Sequence, residues 1–493
     1  MAKILIIGGG VSGLSAGIYA QLNGHSAVVC EKHAVAGGNL TGWQRGEYHI
    51  DNCIHWLTGT NPASKSYKMW EDLGVLGDVE VLQGDSLFTH ELNGQTLALY
   101  KDLDRLHREM LAISPEDSRE INSLVRAIRI IQGINGIGGK HSNKGLAFGD
   151  ALMCIPVLTK YYNMTTGQLA ERFKHPLLKA FMTSFWGDSF GSFVLIMVCA
   201  TFCGKNGGIP RGSSCAMAQR MADRFVSLGG ELLLSKQAVK INHAGGRASS
   251  VTFADGATVE ADYVVLAAEP AVAFKKLLGL PMPKKLGKIY GNARFRRFSS
   301  YQCAFSCDAS DLPFEGDFML PIPEEHRDLL LADQVAIREF SHERSFAPRG
   351  KNVVQTLTFC FEEHAKDFIA LRDKDRELYK QKKKEIADAL HKLIVQKFPQ
   401  LQDKLKCIDV WTPATYRRYT NAEVGSYMSF ALPEKVFPTR LSSRIRGLSN
   451  VLLATQWQWM PGGLPIAAEC GQKTIQTIVR MERFRRSRKR VRV

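Results

Sequence analysis

The stretch that decides the fold is residues 3–39, KILIIGGGVSGLSAGIYAQLNGHSAVVCEKHAVAGGN. Its short apolar run, Ile4 to Ile7, predicts a strand that is buried on both faces. Three glycines follow the strand directly at the G-x-G-x-x-G spacing, namely Gly8, Gly10 and Gly13. This spacing suits a tight turn against a pyrophosphate, followed by a helix that packs close to the strand.

The rest of the stretch completes a strand–turn–helix–strand unit. Ser12 to Leu22 predicts the helix, whose first N–H groups face the phosphates of a bound nucleotide. After the Asn23-Gly24 turn, Ala27 to Cys30 predicts a second buried strand that ends at Glu31. An acid at this distance from the glycines accepts hydrogen bonds from an adenosine ribose. The unit therefore predicts dinucleotide binding.

Composition excludes several classes of protein. The 493 residues are 45% hydrophobic and 23% charged, which is typical of a folded globular chain. No apolar run approaches the roughly 20 residues that cross a bilayer. The first strand begins at Lys3, which leaves no room for a secretory signal, and the eleven cysteines contain no C-x-x-C pair. We therefore expect reduced thiols, a cytoplasmic location and no metal site.

The net charge of +16 is concentrated towards the C-terminus. Residues 480–493, RMERFRRSRKRVRV, carry eight basic side chains and one acid, 8 − 1 = +7. Such a tail can dock on anionic lipid headgroups or on nucleic acid, or it can be a solvated extension. Because the chain has no RNA-binding motif or zinc finger, we expect a peripheral membrane contact and no nucleic-acid partner.

A family resemblance begins beyond Glu31. The pair Gly37-Gly38, followed by Asn39 and Leu40, precedes a short strand segment that ends at Asp51. Together with the glycine turn, this order resembles the flavin-containing amine oxidase and carotenoid desaturase superfamily. In that superfamily the Gly-Gly loop passes the phosphates and the ribityl chain. The resemblance therefore implies FAD as the cofactor in place of NAD.

Two later segments resemble the same superfamily. The order P-R-G, helix, Gly-Gly, strand, V-x-I, hairpin in residues 210–268 is similar to the middle flavin segment of carotenoid desaturases, which implies that the backbone of Val239 lies over the adenine. Residues 447–465 resemble the C-terminal signature of phytoene desaturases, carotenoid isomerases and retinol saturases. That family usually has glycine where Thr455 stands. The helix from Leu464 is implied to point its N–H groups at the flavin.

The resemblance implies an α/β fold with two discontinuous domains. A doubly wound, Rossmann-like FAD-binding domain is expected from residues 1–90, 205–285 and 405–493. An inserted α+β substrate domain is expected from residues 91–204 and 286–404. Carried over residue by residue, the implied cofactor contacts are Gly8, Gly10, Ser12, Gly13, Glu31, Lys32, Gly37, Gly38, Asn39, Leu40, Val239, Thr455, Pro461, Gly462, Gly463, Leu464 and Pro465.

The implied activity is FAD-dependent redox chemistry on carbon–carbon bonds of an apolar polyene, isoprenoid or lipid-like substrate. Hydride would move at flavin N5, and the direction, whether desaturation, saturation or isomerisation, stays open. His55 is the candidate proton-transfer residue, with a structural histidine hydrogen-bonded in the core as the alternative. Glu423, Tyr427 and Trp457 are candidate substrate contacts.

Two alternatives remain. A flavin amine oxidase would need an aromatic cage beside the flavin, which Trp56, Trp457 and Trp459 could supply. A non-enzymatic lipid-binding relative, like the GDP-dissociation inhibitors, would keep the fold without flavin. Glu31, the Gly37-Gly38 pair and the 461–465 turn favour a flavin-binding protein over this second alternative. The sequence gives no expectation for the oligomeric state.

Overall fold

The structure is a computed structural model that describes residues 1–133, 148–184, 187–436 and 440–490. Its strands, numbered in chain order, are β1 (Lys3–Ile7), β2 (Ser26–Cys30), β3 (Gly42–Arg45), β4 (Tyr48–Asp51), β5 (Leu57–Thr58), β6 (Val81–Leu82), β7 (Ser86–Leu92), β8 (Gln95–Tyr100), β9 (Gly207–Pro210), β10 (Glu231–Leu233), β11 (Ala238–Ala244), β12 (Arg247–Phe253), β13 (Thr258–Glu260), β14 (Tyr263–Leu266), β15 (Phe298–Asp308), β16 (Asp317–Pro321), β17 (Gln334–Glu339), β18 (Lys351–Phe361), β19 (Lys406–Trp411) and β20 (Val451–Leu453).

The α-helices, numbered in the same way, are α1 (Val11–Leu22), α2 (Lys65–Asp72), α3 (Leu103–Ile113), α4 (Ser118–Gly133), α5 (Phe148–Tyr161), α6 (Thr166–Ala170), α7 (Pro176–Thr183), α8 (Ser192–Cys203), α9 (Ser213–Ser227), α10 (Pro270–Val272), α11 (Lys284–Tyr290), α12 (Glu324–Leu330), α13 (Glu362–Lys374), α14 (Arg376–Lys397), α15 (Pro413–Thr420) and α16 (Leu464–Arg490). A π-helical segment, Ala273–Leu278, continues α10.

The first sheet is parallel, with strand order β10-β2-β1-β14-β20. As the apolar run predicted, β1 lies at its centre and is buried on both faces. Ile4 and Ile6 pack against α1, α9 and α16, whereas Leu5 and Ile7 pack towards β11–β12 and the π-helical segment. The predicted α/β class with a Rossmann-like sheet is confirmed, and its second face is covered by the antiparallel β11-β12-β13 sheet.

Helix α16 holds the last segment of the chain against the first. Gly471 lies so close to α1 that an added Cβ would be 2.5 Å from the Ser12 carbonyl oxygen. The Ser15 hydroxyl donates to the Ala468 carbonyl oxygen at 2.7 Å, inside the same interface. Glycine at position 471 therefore permits the close helix contact that fixes the 461–465 turn near the glycine turn.

The second sheet is mixed and has strand order β19-β15-β18-β17-β16-β7-β8. Its pairs are antiparallel except for β16 with β7. Helices α13 and α14 cover one part of it with an apolar core, while α3, α4 and the helices up to α8 build another core against β7 and β8. This α+β region forms a wall opposite the parallel sheet.

The strand pairing bears on the predicted domain limits. The limit after residue 90 falls inside β7, and β19, which was expected in the FAD-binding segments, pairs with β15. Both strands are therefore part of the second sheet, because a strand belongs to the sheet that satisfies its backbone hydrogen bonds. The division into two domains itself stays a prediction.

Within the described ranges, no helix combines the length and the apolar character that crossing a membrane requires. The predicted tail does not begin at Arg480. Ile478 is fully buried, and the Tyr263 hydroxyl donates to Glu482 at 2.6 Å, so residues up to this point of α16 are part of the packed fold.

Candidate cofactor and substrate site

One continuous cavity of about 1150 Å³ lies between the parallel sheet and the second sheet. Single ligand pockets usually measure roughly 300–1,000 Å³. The cavity begins at the turn after β1, runs past the Gly37-Gly38 loop and the 461–465 turn, and ends against α8 and β18. Its size and length allow it to hold a dinucleotide cofactor together with a second molecule.

The turn after β1 presents the N-terminus of α1 to this cavity. Gly8, Gly10 and Ser12 line it, and no side chain caps the helix. Uncapped N–H groups and the positive end of the helix dipole favour an anion at this point. Gly13 instead faces the protein, because an added Cβ would lie 1.8 Å from the Gly8 carbonyl oxygen.

Gly10 tests whether the turn fits a dinucleotide. Its φ of −75° and ψ of −179° are open to any residue. An added Cβ would meet Gly37 and Gly38 at 3.7 and 3.8 Å, which are ordinary contact distances. The protein's own packing therefore does not require glycine here. A phosphate lying against the Cα would require it, so the turn fits the pyrophosphate of FAD.

Glu31 lies at the end of β2 and is 7% exposed. One carboxylate oxygen accepts from the Gly9 N–H at 2.8 Å and the other from the His33 N–H at 2.9 Å. These two bonds hold the carboxylate at the cavity while lone pairs remain for ribose hydroxyls. Lys32 also lines the cavity, but its ammonium donates to the Arg418 carbonyl and to Asn421.

The Gly37-Gly38 loop runs beside the glycine turn. The Gly37 N–H donates to the Gly9 carbonyl oxygen at 2.8 Å. At its φ of 124°, a Cβ would lie 2.2 Å from the Leu40 carbonyl oxygen, so only glycine fits. Asn39 lines the cavity next, and its amide donates to the carbonyls of Ser426 and Tyr427. Leu40 is buried and completes this edge.

The C-terminal turn closes the other side of the same cavity. Lining residues are Thr455, Pro461, Gly462, Gly463, Leu464 and Pro465. Thr455 has an extended φ of −147°, so glycine is not required there. Its N–H donates to the side-chain oxygen of Gln458 at 2.9 Å, and its hydroxyl could donate to a phosphate. Helix α16 starts at Leu464 with its first turn at the cavity, as the resemblance implied.

Val239 is placed less favourably than expected. Gln237 and Ala238 line the cavity, whereas Val239 is not among the lining residues and its side chain is 40% exposed. The pairing of β11 with β12 shifts register between Ala238 and Lys240, so Val239 has no paired residue in that register. Contact of its backbone with an adenine stays a prediction.

The far end of the cavity is apolar. Helix α8 contributes Phe193, Val194, Met197, Val198 and Thr201, and β18 contributes Leu357 and Phe359. All of these residues are uncharged. Trp56 and Trp457 also line the cavity. A wall of this kind binds hydrocarbon by removing it from water, at about 0.8 kcal/mol for each buried CH₂ group.

His55 lies at this apolar end and lines the cavity, with 17% of its side chain exposed. Its Nδ1 is 3.9 Å from a carboxylate oxygen of Asp317. Burial, and next the charge of Arg338, lower the pKa of His55 below its usual value. The imidazole is therefore neutral at pH 7 and can accept a proton. Its catalytic role stays a prediction.

Tyr427 and Trp457 also line the cavity, but neighbouring groups already hold them. The Tyr427 hydroxyl donates to the Cys53 carbonyl oxygen at 2.9 Å, and burial raises the pKa of Tyr427 well above its usual value. It therefore keeps its proton. Trp457 stacks on Tyr290 at 5.8 Å and meets Phe430 edge-on at 5.0 Å. Tyr290 thus occupies one of its faces, which weakens its candidacy for an aromatic cage.

Glu423 does not line the main cavity, and its candidate contact with a substrate stays a prediction. Its carboxylate pairs with Arg297 at 2.5 Å and with Lys275 at 2.8 Å, beside a shallow groove outside the main cavity. Arg297 also pairs with Glu362 at 2.7 Å. The ion pairs turn Glu423 away from the cavity, because a carboxylate is most stable beside the nearest guanidinium.

The sequence did not identify the polar cluster that joins the cavity walls. The amide oxygen of Asn52 accepts from Trp411 and Tyr416, at 2.9 Å in each case, while its NH₂ donates to the Asn39 carbonyl. The hydroxyl of Ser426, buried at the cavity, has no hydrogen-bond partner among the described residues. A buried hydroxyl of this kind fits a polar group of a bound cofactor. No local signal marks this cluster, because Asn52 lies more than 350 positions from Trp411 and Tyr416.

Taken together, the parallel sheet, the uncapped helix and Glu31 at the edge of the cavity define a dinucleotide-binding protein. The chain matches the family of flavin containing amine oxidoreductases over residues 11–472, and it belongs to that family. Its cofactor is accordingly FAD, as predicted. A flavin-free lipid-binding protein is thereby set aside.

Individual relatives are distant. The chain is 23% identical to the chloroplastic prolycopene isomerase of Daucus carota over 452 residues, which cover 86% of this chain and 71% of that protein. It is 24% identical to a lycopene-forming phytoene desaturase of Paracoccus sp. over 288 residues, 56% of each chain.

Solved structures share the fold at low identity. An oxidoreductase from Methanosarcina mazei aligns with a TM-score of 0.63 at 14% identity, over 97% of this chain and 100% of that one. Cyclohexylamine oxidase from Brevibacterium oxydans aligns with a TM-score of 0.57 at 16% identity, over 98% and 99%. At such identities the likeness establishes the fold alone.

Proposed function

We propose that this FAD-dependent oxidoreductase acts on carbon–carbon double bonds of an elongated apolar polyene or isoprenoid. The observation that carries the proposal is the uncharged wall built by α8 and β18 at the end of the cofactor cavity. An amine substrate enters such a cavity as a cation and requires a carboxylate or an aromatic cage. The wall from α8 and β18 contains neither an acid nor a base.

The names of relatives support the same substrate class. The proteins of Daucus carota and Paracoccus sp. are named for prolycopene and for phytoene and lycopene. The names represent desaturation and isomerisation, and the proposed reaction class keeps saturation open beside them.

Each part of the cavity has a proposed task. Bound FAD supplies the two-electron acceptor or donor. The wall from α8 and β18 binds the hydrocarbon, orients it along the cavity and excludes water. His55, held neutral by burial, exchanges a proton with the substrate carbon. Helix α16 directs the positive end of its dipole at the cofactor, which favours electron-rich states of the site.

The experiment uses purified holoprotein under anaerobic conditions with the flavin oxidised or reduced. Linear cis and trans carotenoids, retinoids and two amines, cyclohexylamine and putrescine, are offered separately in detergent micelles. We expect absorbance changes and new products on chromatography with polyenes only. Amine-dependent flavin reduction without any polyene product would contradict the proposal and favour an amine oxidase.

A pair of variants tests the apolar wall. Met197→Asp places a charge in the wall of α8, and it should lower polyene turnover at least about tenfold, since burying an unpaired carboxylate is strongly unfavourable. Flavin content should not change. Val226→Asp is the matched control, because Val226 is 53% exposed on α9. Equal losses in both variants would count against binding by the wall.

We also propose that the protein is cytoplasmic and reaches its apolar substrate at an anionic membrane surface. Its support is the basic sequence 486–493, RSRKRVRV, with five basic residues and no acid. Each basic residue near such a surface contributes about 1 kcal/mol of binding.

A further inference from the structure

A buried ion pair lies directly behind His55. Asp317 and Arg338 stand opposite each other on β16 and β17, and the guanidinium donates to both carboxylate oxygens through Nε and Nη2. Their side chains are 3% and 7% exposed. A bidentate pair of this kind has a fixed geometry, because the planar fork matches the carboxylate.

The same guanidinium also fixes the backbone that carries His55. Its Nη1 donates to the Ile54 carbonyl oxygen at 2.7 Å and its Nη2 to the His55 carbonyl oxygen at 2.9 Å. Arg338 thus binds the acid beside the imidazole and the chain on both sides of the His55 peptide. A shift of the backbone segment that carries His55 would require these bonds to break.

A small polar void completes the arrangement. It measures about 10 Å³ and is lined by His55, Asp317, Arg338 and the amides of Gln302 and Gln355, among others. That volume corresponds to about one water molecule. The imidazole therefore borders two spaces, the substrate cavity and an internal polar void.

We propose that Asp317 and Arg338 are positioning residues that hold His55 in place for proton transfer. Their opposite charges act in opposite directions on the charge that the imidazole gains when it binds a proton. The inference deepens the proposed function and rests on it. In a desaturation, the imidazole would take the proton from one substrate carbon while the neighbouring carbon would lose a hydride to bound flavin, so that a C=C bond forms between them; a saturation would run in reverse. The charged groups that face His55 are Asp317 from β16, Arg338 from β17 and Asp51 at the end of β4.

The opposed charges have a distinctive consequence. Burial and Arg338 lower the pKa of His55, whereas Asp317 and Asp51 raise it. Arg338→Gln should therefore raise the pKa of His55, and Asp317→Asn should lower it. A charge within about 4–6 Å moves a pKa by roughly 1–3 units, so each shift should reach at least one pH unit. A pair that only stabilises the fold would leave the pH dependence of turnover unchanged.

The test uses holoprotein with isotope-labelled histidine, in which the pKa of His55 is read by NMR and assigned with His55→Gln. The pH profile of polyene turnover is measured in parallel. We expect the NMR pKa and the acid limb of the profile to move up in Arg338→Gln and down in Asp317→Asn. Arg338→Lys keeps the charge and should leave the pKa of His55 within about half a unit of its wild-type value. This variant is the second test of position 338 if Arg338→Gln does not fold.

Different results would contradict the polyene activity and the positioning role of Asp317 and Arg338. If the wild-type protein turns over no polyene, the proposed function fails, while the NMR shifts still test the placement of the charges. If the protein is active but the variants shift the pKa of His55 in the same direction or by less than half a unit, the inference is overturned.

Discussion

Replacing Gly10 by alanine separates the contact of the cofactor with the glycine turn from the folding of that turn. The backbone at Gly10 already has angles that alanine adopts, and the added Cβ would have no protein neighbour nearer than 3.7 Å. The Cβ would instead project towards the cavity, where the pyrophosphate is expected at the start of α1. The variant should fold normally and bind FAD poorly.

The magnitude follows from the hydrogen bonds that the Cβ displaces. A helix N–H bonded to a charged phosphate contributes roughly 1.5–3 kcal/mol. Loss of one such bond raises the Kd for FAD by about 10-fold to 150-fold, since about 1.4 kcal/mol corresponds to a factor of ten. The apoprotein should gain about 0.4–1 kcal/mol, because alanine restricts the unfolded chain more than glycine does.

The assay titrates FAD into apoprotein and follows quenching of flavin fluorescence, with thermal unfolding of the apoprotein recorded alongside. Gly13→Ala is the opposite control, because its Cβ would lie 1.8 Å from the Gly8 carbonyl oxygen and should destabilise the apoprotein itself. A wild-type Kd for Gly10→Ala would refute the placement of the pyrophosphate. A large fall in apoprotein stability for Gly10→Ala would refute the packing argument.

Three further predictions concern cofactor affinity, pH and membranes. Glu31→Ala should lose FAD on dialysis and also lower apoprotein stability by roughly 1–3 kcal/mol, because the buried Gly9 N–H loses its acceptor; full flavin occupancy after dialysis would contradict this. Burial raises the pKa of Glu269 from 4.5 to about 7, although the nearby Arg297 guanidinium lowers it. Between pH 4.5 and about 7 the folded protein keeps a proton that the unfolded chain has lost, so the stability of the fold decreases as pH rises. Over this pH window the free energy of unfolding, measured with denaturant, should fall by roughly 3 kcal/mol in the wild type and stay constant in Glu269→Gln. An equal fall in the variant would show that another group causes the pH dependence. Deleting residues 486–493, which keeps the Glu482 contact with Tyr263, should abolish low-salt binding to phosphatidylserine vesicles but leave flavin content unchanged; equal binding by both proteins would exclude a membrane role for these residues.

The parallel-sheet unit and its cofactor class could be predicted from residues 3–39. This unit consists of neighbouring residues, namely the strand, the glycine turn, the helix and Glu31. Its geometry depends on local backbone preferences, which the sequence pattern alone reveals. The resemblance carried by the Gly37-Gly38 loop and the 461–465 turn extended this to FAD, because each motif is again a short run of neighbouring residues. The family match over residues 11–472 confirms that reading.

Which distant side chains share the site could be learned only from the packing of the folded chain. Glu423 and Tyr427 are four positions apart in the sequence, yet Arg297 holds the first outside the cavity while the second lines it. Asn52 meets Tyr416, and His55 meets Asp317 and Arg338, through strand register and packing across hundreds of residues. Such contacts depend on which strands pair and on where ion pairs form, and no periodicity or local motif records either.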